Sequence, residues 1–246
     1  MKSTMSRVAV AVSVVATLGL TAACGGGGDE DKADAKPSAT GSTSAGENAK
    51  NGEDGAGKAA LTEAQLKKAA LAKGDVKGYT ISDMPADDMP AEAVPAKPAA
   101  CQPLANMFYF TSDPQAQART GRRVTSVDEL SASVIALALA AHEQSDAEKV
   151  MADLRKATES CDGYEQVGNE YTDIETLAAP EHGDEAVAYK LKADIEGAKI
   201  PMSFTVVRSG STLIVFSSMN MLDADKAEVP AEVLDAQVAK LEKVAG

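Results

Sequence analysis

Val187-Ala188-Tyr189-Lys190-Leu191-Lys192-Ala193-Asp194-Ile195 is the stretch that decides the fold class. Val187, Tyr189, Leu191, Ala193 and Ile195 fall on one side of an extended chain, and Ala188, Lys190, Lys192 and Asp194 on the other. A period of two marks a half-exposed strand of an antiparallel sheet. Gly197-Ala198-Lys199 can turn this strand into a second, Ile200 to Arg208, and Ser209-Gly210 can turn that into a third, Ser211 to Met219. Two tight connections in succession predict a three-stranded meander. Working outward, Glu129 to Ala141 is a further β-rich run, and Tyr171 to Leu177 is a weaker strand candidate.

Three helices flank these strands. Thr62-Glu63-Ala64-Gln65 reads as a capping box for a helix over 61–73, with Leu66, Ala69, Ala70 and Lys73 at helical spacing and Gly74 as its stop. Ser145-Asp146-Ala147-Glu148 reads as a second capping box. Behind it Ala147, Val150, Met151, Leu154, Ala157, Thr158 and Cys161 share one face. A third helix starts near Pro230 and aligns Val233, Leu234, Val238, Leu241 and Val244. The expected class is α+β: an antiparallel sheet of four to six strands with helices packed over one face.

The N-terminus gives an address. Lys2 and Arg7 precede an uncharged run of sixteen residues, Val8 to Ala23, too short and too interrupted by Ser13, Thr17 and Gly19 to span a bilayer. Leu20-Thr21-Ala22-Ala23-Cys24 then resembles the lipobox of bacterial lipoproteins. Thr21 stands where leucine is commoner. The resemblance implies cleavage after Ala23 and a diacylglycerol on the Cys24 thiol. Two acyl chains suffice for stable anchoring. Residues 1–23 are thus expected to be the signal peptide, 24–58 the lipidated cysteine and its tether, and 59–246 a single domain. Gly25 to Lys58 holds one proline and no Leu, Ile, Val, Met or aromatic residue, so it cannot offset its ordering entropy. As a flexible coil it would hold the domain ~30 Å from the lipid. The expected location is the extracytoplasmic face of the cell membrane.

The net charge is −13, and loss of Lys2 and Arg7 with the signal makes it −15. Such a surface opposes nucleic acid. Tryptophan is absent and nine residues are aromatic, so Leu, Val, Ile, Ala and Met must fill the core. With Cys24 lipidated, Cys101 and Cys161 remain in an oxidising compartment and can form one disulfide, closing a loop worth about 4 kcal/mol in the chain-entropy model.

Recognisable catalytic chemistry is missing. No HExxH helix, Gly-x-Ser-x-Gly elbow, P-loop or Rossmann glycine motif occurs, and the carboxylates are too many to single out a pair. His142, at a strand end, and His182, in a loop, read as structural or exposed. The echo Asp83-Met84-Pro85 and Asp88-Met89-Pro90, with Met219 and Met221, offers thioethers that suit copper(I), but methionine as core filler is the simpler account. Neither a catalytic residue nor a cofactor is expected.

Several motifs together carry a family resemblance. The lipobox and acidic tether lead to the 61–73 helix and then Gly74-Asp75-Val76-Lys77-Gly78-Tyr79. Ser145-Asp146-Ala147 opens a helix ending in Cys161, and Gly183-Asp184-Glu185-Ala186 and Val207-Arg208-Ser209-Gly210 follow. This pattern resembles actinobacterial exported lipoproteins whose domain is similar to the extracellular sensor domain of the mycobacterial-type receptor Ser/Thr kinase H, over roughly residues 60–245. That sensor domain is held by two disulfides, whereas cysteines for one are present here. The kinase and transmembrane helix have no counterpart in the sequence. The resemblance implies a twisted antiparallel sheet with flanking helices and a cleft proposed to bind a ligand, and it transfers no catalytic residue.

The leading functional expectation is a non-catalytic, sensor-like module that binds a small envelope ligand or a protein partner. A carrier of lipid or another apolar molecule is the alternative, and an envelope hydrolase a distant third. An enclosed apolar cavity would favour the carrier and a shallow polar cleft the binding module. Lys190, Lys192 and Arg208, on or near the open side of the meander, could receive a carboxylate or phosphate, or could simply balance charge.

Overall fold

The computed structural model describes residues 59–128, 133–220 and 227–245. Cys24 with the signal and tether, Glu129 to Ala132 of the first β-rich run, and Met221 lie outside the described residues. Strands β1 (Tyr79–Asp83), β2 (Ala96–Lys97), β3 (Ala118–Ser126), β4 (Ser133–Ala141), β5 (Gly163–Gln166), β6 (Asn169–Leu177), β7 (Glu185–Ile195), β8 (Ala198–Ser209) and β9 (Thr212–Asn220) are joined by helices α1 (Glu63–Ala69), α2 (Gln102–Phe108), α3 (Gln144–Ser160) and α4 (Ala231–Ala245). The strands make one sheet in the order β1-β3-β4-β9-β8-β7-β6-β5-β2, and every neighbouring pair is antiparallel.

The α+β class and the meander stand as expected, but the sheet has nine strands among the described residues, not four to six. It is also covered on both faces rather than one. Tyr189, Leu191, Phe204 and Val215 pack with Leu104 and Met107 of α2 and Met151 and Leu154 of α3. On the reverse face Leu137, Leu139, Ile214 and Phe216 pack with Leu66 of α1 and Val233, Val238 and Leu241 of α4. The physical reason lies in the central strands. Ser133–Ala141 is apolar after its first residue, and Thr212–Asn220, with Leu213 to Phe216 in a row, is buried nearly throughout, the pattern of strands covered on both sides.

The meander's turns follow from backbone chemistry. Ile195 pairs with Ala198, leaving a two-residue loop in which Glu196 (φ 54°) and Gly197 (φ 84°) are both left-handed. That conformation matches the right-handed strand twist. The turn is therefore Glu196-Gly197, one residue earlier than the glycine-led reading placed it. Ser209 pairs with Thr212 across a second two-residue loop.

Two helix ends differ from expectation. The Thr62–Gln65 capping box forms, yet α1 stops at Ala69 rather than running to Lys73. The side chain of Gln237, fully buried on α4, accepts from the Leu71 N–H (2.9 Å) and donates to the Ala69 carbonyl (2.9 Å). A long-range amide thus replaces the intrahelical bonds of another turn. In α3 the Ser145 box does not form, because the helix starts two residues earlier than that box requires, at Gln144, with Glu143 as its uncapped entry. Its apolar face is as expected, with Ala147, Val150, Met151, Leu154, Ala157 and Thr158 buried.

Cys101, at the entry to α2, is bonded to Cys161, which ends α3, across a Cα–Cα distance of 5.5 Å. The bridge ties together the two helices that cover one sheet face.

Candidate functional site

The structure does not gather Lys190, Lys192 and Arg208. Cross-strand partners share a face, and Arg208 lies opposite Glu185 on β7, an odd-numbered position on the α3 side. Lys190 and Lys192 are even-numbered and point to the other face. Each meets a carboxylate of β6: Lys190 with Glu175 at 2.9 Å, and Lys192 with Asp173 at 2.8 Å. Both pairs stand on the wall of a groove of about 280 Å³ that also includes Pro201, Met202 and Ser203.

Arg208 is internal. Its Nε donates to Glu185 (2.6 Å), and one Nη to Asp184 (3.0 Å) and the Gly210 carbonyl (3.0 Å). Arg155 of α3 donates to the same Glu185 at 2.7 Å. Burial alone would raise the Glu185 carboxyl, but these hydrogen bonds outweigh it and hold its pKa below the ordinary value. The Gly183-Asp184-Glu185 and Arg208-Ser209-Gly210 motifs are therefore two halves of one ion-paired junction. Gly183 is left-handed (φ 62°) and lies against the Arg208 carbonyl.

A different constellation surrounds α2. The segment from Pro90 to Ala96 arches over this short helix and is held almost wholly by side chains. Gln102 accepts from the Ala96 N–H (2.8 Å) and donates to the Val94 carbonyl (2.9 Å). Gln166 donates to the same carbonyl (2.8 Å), Gln115 to Ala91 (2.6 Å), and Arg119 to Pro90 (2.7 Å). Beneath the arch is a cleft of about 330 Å³ whose wall includes Glu92, Gln102, Asn106, Asp113 and Arg119. A second depression of about 180 Å³ shares Gln102, Asn106, Ser112 and Asp113 and runs to Val150 and Asp153 of α3. Both depressions are lined by the Gln102–Asn106 amide pair, and together they are the groove beside α2.

Asn106 is only 3% exposed. Its Oδ1 accepts from Gln102 (2.7 Å) and Thr111 (3.4 Å), while its Nδ2 has no partner among the described residues. Arg119, half-buried at the base of β3, donates to Phe110 (2.8 Å) and Pro90 carbonyls. Burial lowers its pKa from the ordinary value. Sequence reading missed both residues. The signal available was the polar i, i+4 pair Gln102 and Asn106 immediately after Cys101, since amides on a helix tied down by a disulfide are poor core filler.

Ser112 Oγ lies 3.5 Å from His142 Nε2. His142 is fully buried rather than exposed, and its Nδ1 has no partner among the described residues. Burial, only partly opposed by Asp146, pushes its pKa down to about 4, so the ring is neutral at pH 7. A nucleophile–base pair needs a third group to orient the base, and none bonds Nδ1. His182 bonds Asp235 (2.9 Å). Among the described residues no group of three or more His, Cys, Asp or Glu could hold a metal ion. Met84 and Met89 instead sit close to Gly121 of β3 and pack on the core. No described helix is long and apolar enough to cross a membrane.

No protein-family model and no curated protein matches the chain. Among solved structures, an uncharacterised Mycobacterium smegmatis protein, an ortholog of Rv0999, is 12% identical over 74% of this chain and 95% of its own, with a TM-score of 0.39, too low to bear on the fold. The extracellular domain of PknH from Mycobacterium tuberculosis is 10% identical and overlaps 76% of this chain and 98% of its own, with a TM-score of 0.50. The described domain shares the fold of that extracellular domain, as the motif resemblance implied.

Proposed function

We propose that this chain is a lipid-anchored, extracytoplasmic binding module without catalytic activity, which recognises a small envelope ligand or partner through the groove beside α2. The carrying observation is the groove itself: open, with Glu92, Gln102, Asn106, Asp113 and Arg119 on its wall, and lined by a nearly buried amide, Asn106, whose Nδ2 donates to no partner among the described residues. A lipid carrier calls for an enclosed apolar chamber, and the apolar clusters on the two sheet faces are instead filled by their own side chains. The unoriented Ser112–His142 pair favours binding over hydrolysis. The shared fold with an extracellular domain and the lipobox residues before Cys24 support the location. Lys190 and Lys192 are the weaker ligand candidates within this reading, since each already meets a carboxylate.

The test is native mass spectrometry of protein purified from its own host, followed by backbone amide shifts on adding envelope fragments. A copurifying small molecule, with shifts centred on residues 90–96 and 102–119, is expected. Bare protein with a silent groove would reject the reading.

A further inference from the structure

Resting on that reading, the charges around the groove specify a ligand class. The described arginines Arg122, Arg123, Arg155 and Arg208 each pair with a carboxylate. Arg119 alone among them does not, although it is half-buried and the protein carries a large excess of acid. Of its five N–H donors, two are engaged, by carbonyls. Desolvating a cation without a counter-charge is costly, and a carboxylate presented in the guanidinium plane would relieve that cost with paired, charge-assisted hydrogen bonds. Asn106, on the wall of the same groove, supplies one more donor, its Nδ2, which has no partner among the described residues.

Asp113 and Glu92 line the same cleft, and neither forms an ion pair with Arg119 among the described residues; the Lys149 ammonium of α3 feels the Asp113 charge without reaching the cleft wall. One cation and two carboxylates thus face one small space without meeting. A purely anionic ligand, such as inorganic phosphate, would meet Arg119 and be repelled by the rim. A ligand carrying a carboxylate at one end and an ammonium at the other satisfies both. We propose that this groove binds an α-amino carboxylate, as a free amino acid or a short peptide. Its terminal carboxylate lies on Arg119, an oxygen accepts from Asn106, and its ammonium faces Asp113 and Glu92. The cleft volume of about 330 Å³ lies at the small end of ligand sites, where a few residues fit.

The experiment titrates full-length protein in detergent with L-alanine, L-alanyl-L-alanine, the dipeptide C-terminal amide and the N-acetyl dipeptide, read by calorimetry and amide shifts. The free and dipeptide forms distinguish the two sources of the group. Binding by at least one of them is expected, with affinity falling about tenfold or more for the amide, since a charge-assisted hydrogen bond is worth ~1.5–3 kcal/mol. A smaller loss is expected for the N-acetyl form. Because these changes are made in the ligand, Arg119's ties to Phe110 and Pro90 are undisturbed. Asn106→Asp, which sets a negative charge against the carboxylate, should weaken the dipeptide and spare the amide. Equal binding of acid and amide overturns the proposal. So does a copurified occupant without a carboxylate, which leaves the binding reading standing, whereas an empty, unresponsive groove rejects both.

Discussion

His142 should make this domain acid-sensitive well above the carboxylate range. Its imidazole is fully buried at the end of β4, with its ring held against Ser112 and Nδ1 without a partner among the described residues. Burial lowers the pKa from 6.5 to about 4, while Asp146, in the first turn of α3, pulls the other way without prevailing. The unfolded chain therefore binds a proton more readily than the folded one, and stability is lost as pH falls below the unfolded value. For one group shifted in this way the loss is about 2 kcal/mol at pH 5 and about 3 kcal/mol once pH passes below the folded value. Other groups act lower. Asp75, held down by a hydrogen bond from Lys240, and Glu185 stabilise the fold above the ordinary carboxylate range and lose that contribution only as pH falls through their depressed pKa values. The window between about pH 6.5 and 5 thus lies above the carboxylates, and a His142→Gln reference separates this ring from His182, which pairs with Asp235. Urea unfolding at intervals from pH 7.5 to 5, for wild type and His142→Gln, measures the effect as a difference of slopes, whatever offset the substitution introduces. Wild type should lose about 2 kcal/mol more than the variant across the window. Parallel pH profiles would refute the argument, and with it the claim that the ring is neutral and without a compensating acid.

Three further outcomes follow from named contacts. The sixty-residue separation closed by Cys101–Cys161 makes Cys101→Ala cost about 4 kcal/mol, or roughly 10 °C of melting temperature by calorimetry; alkylation of either thiol in native, unreduced protein contradicts the bridge. Gly183→Ala would drive a Cβ into the Arg208 carbonyl oxygen at a left-handed position, so a loss of about 2–4 kcal/mol is expected in urea unfolding, and a change under 0.5 kcal/mol would speak against the junction's geometry. Cys24→Ser should move the protein from the membrane fraction to the medium or leave it as uncleaved precursor, and unchanged fractionation with normal processing rejects the lipid anchor.

What the sequence disclosed and what it hid divide along physical lines. Strand β7 was plain because one of its faces carries lysines, and α3 and α4 because their apolar stripes repeat at helical spacing. Strand β3 was missed because Ala118-Arg119-Thr120-Gly121-Arg122-Arg123 reads as a loop. Its polar groups are satisfied only in three dimensions, Arg122 by the Leu71 carbonyl (3.0 Å) and Asp83 (2.9 Å). Strands β1, β2 and β5 span five, two and four residues, too few for a period to declare itself. Helix α2 has seven, below the length at which an isolated helix is stable, and exists because Cys101, Leu104 and Met107 are packed from outside. The candidate site is built from these hidden elements. The lysines that looked available are paired across β6–β7, and register, not composition, decided that.

The disulfide and the groove are one design rather than two. Cys101 enters α2, Gln102 follows it, and Asn106 sits one turn further on the same side. Fixing Cys101 to the end of α3 therefore sets the positions from which Gln102 holds the arch at Val94 and Ala96 and polarises Asn106. A seven-residue helix has little stability of its own with which to hold a polar pair near the surface. Amides left to fluctuate there would bond water and offer no fixed donor. Pinned at one end and buried along the other, the same residues present a directed N–H beside a guanidinium whose only partners are carbonyls. In an acidic protein that pairs its other described arginines with carboxylates, Arg119 held in this company is the cation on which the proposed ligand carboxylate would rest.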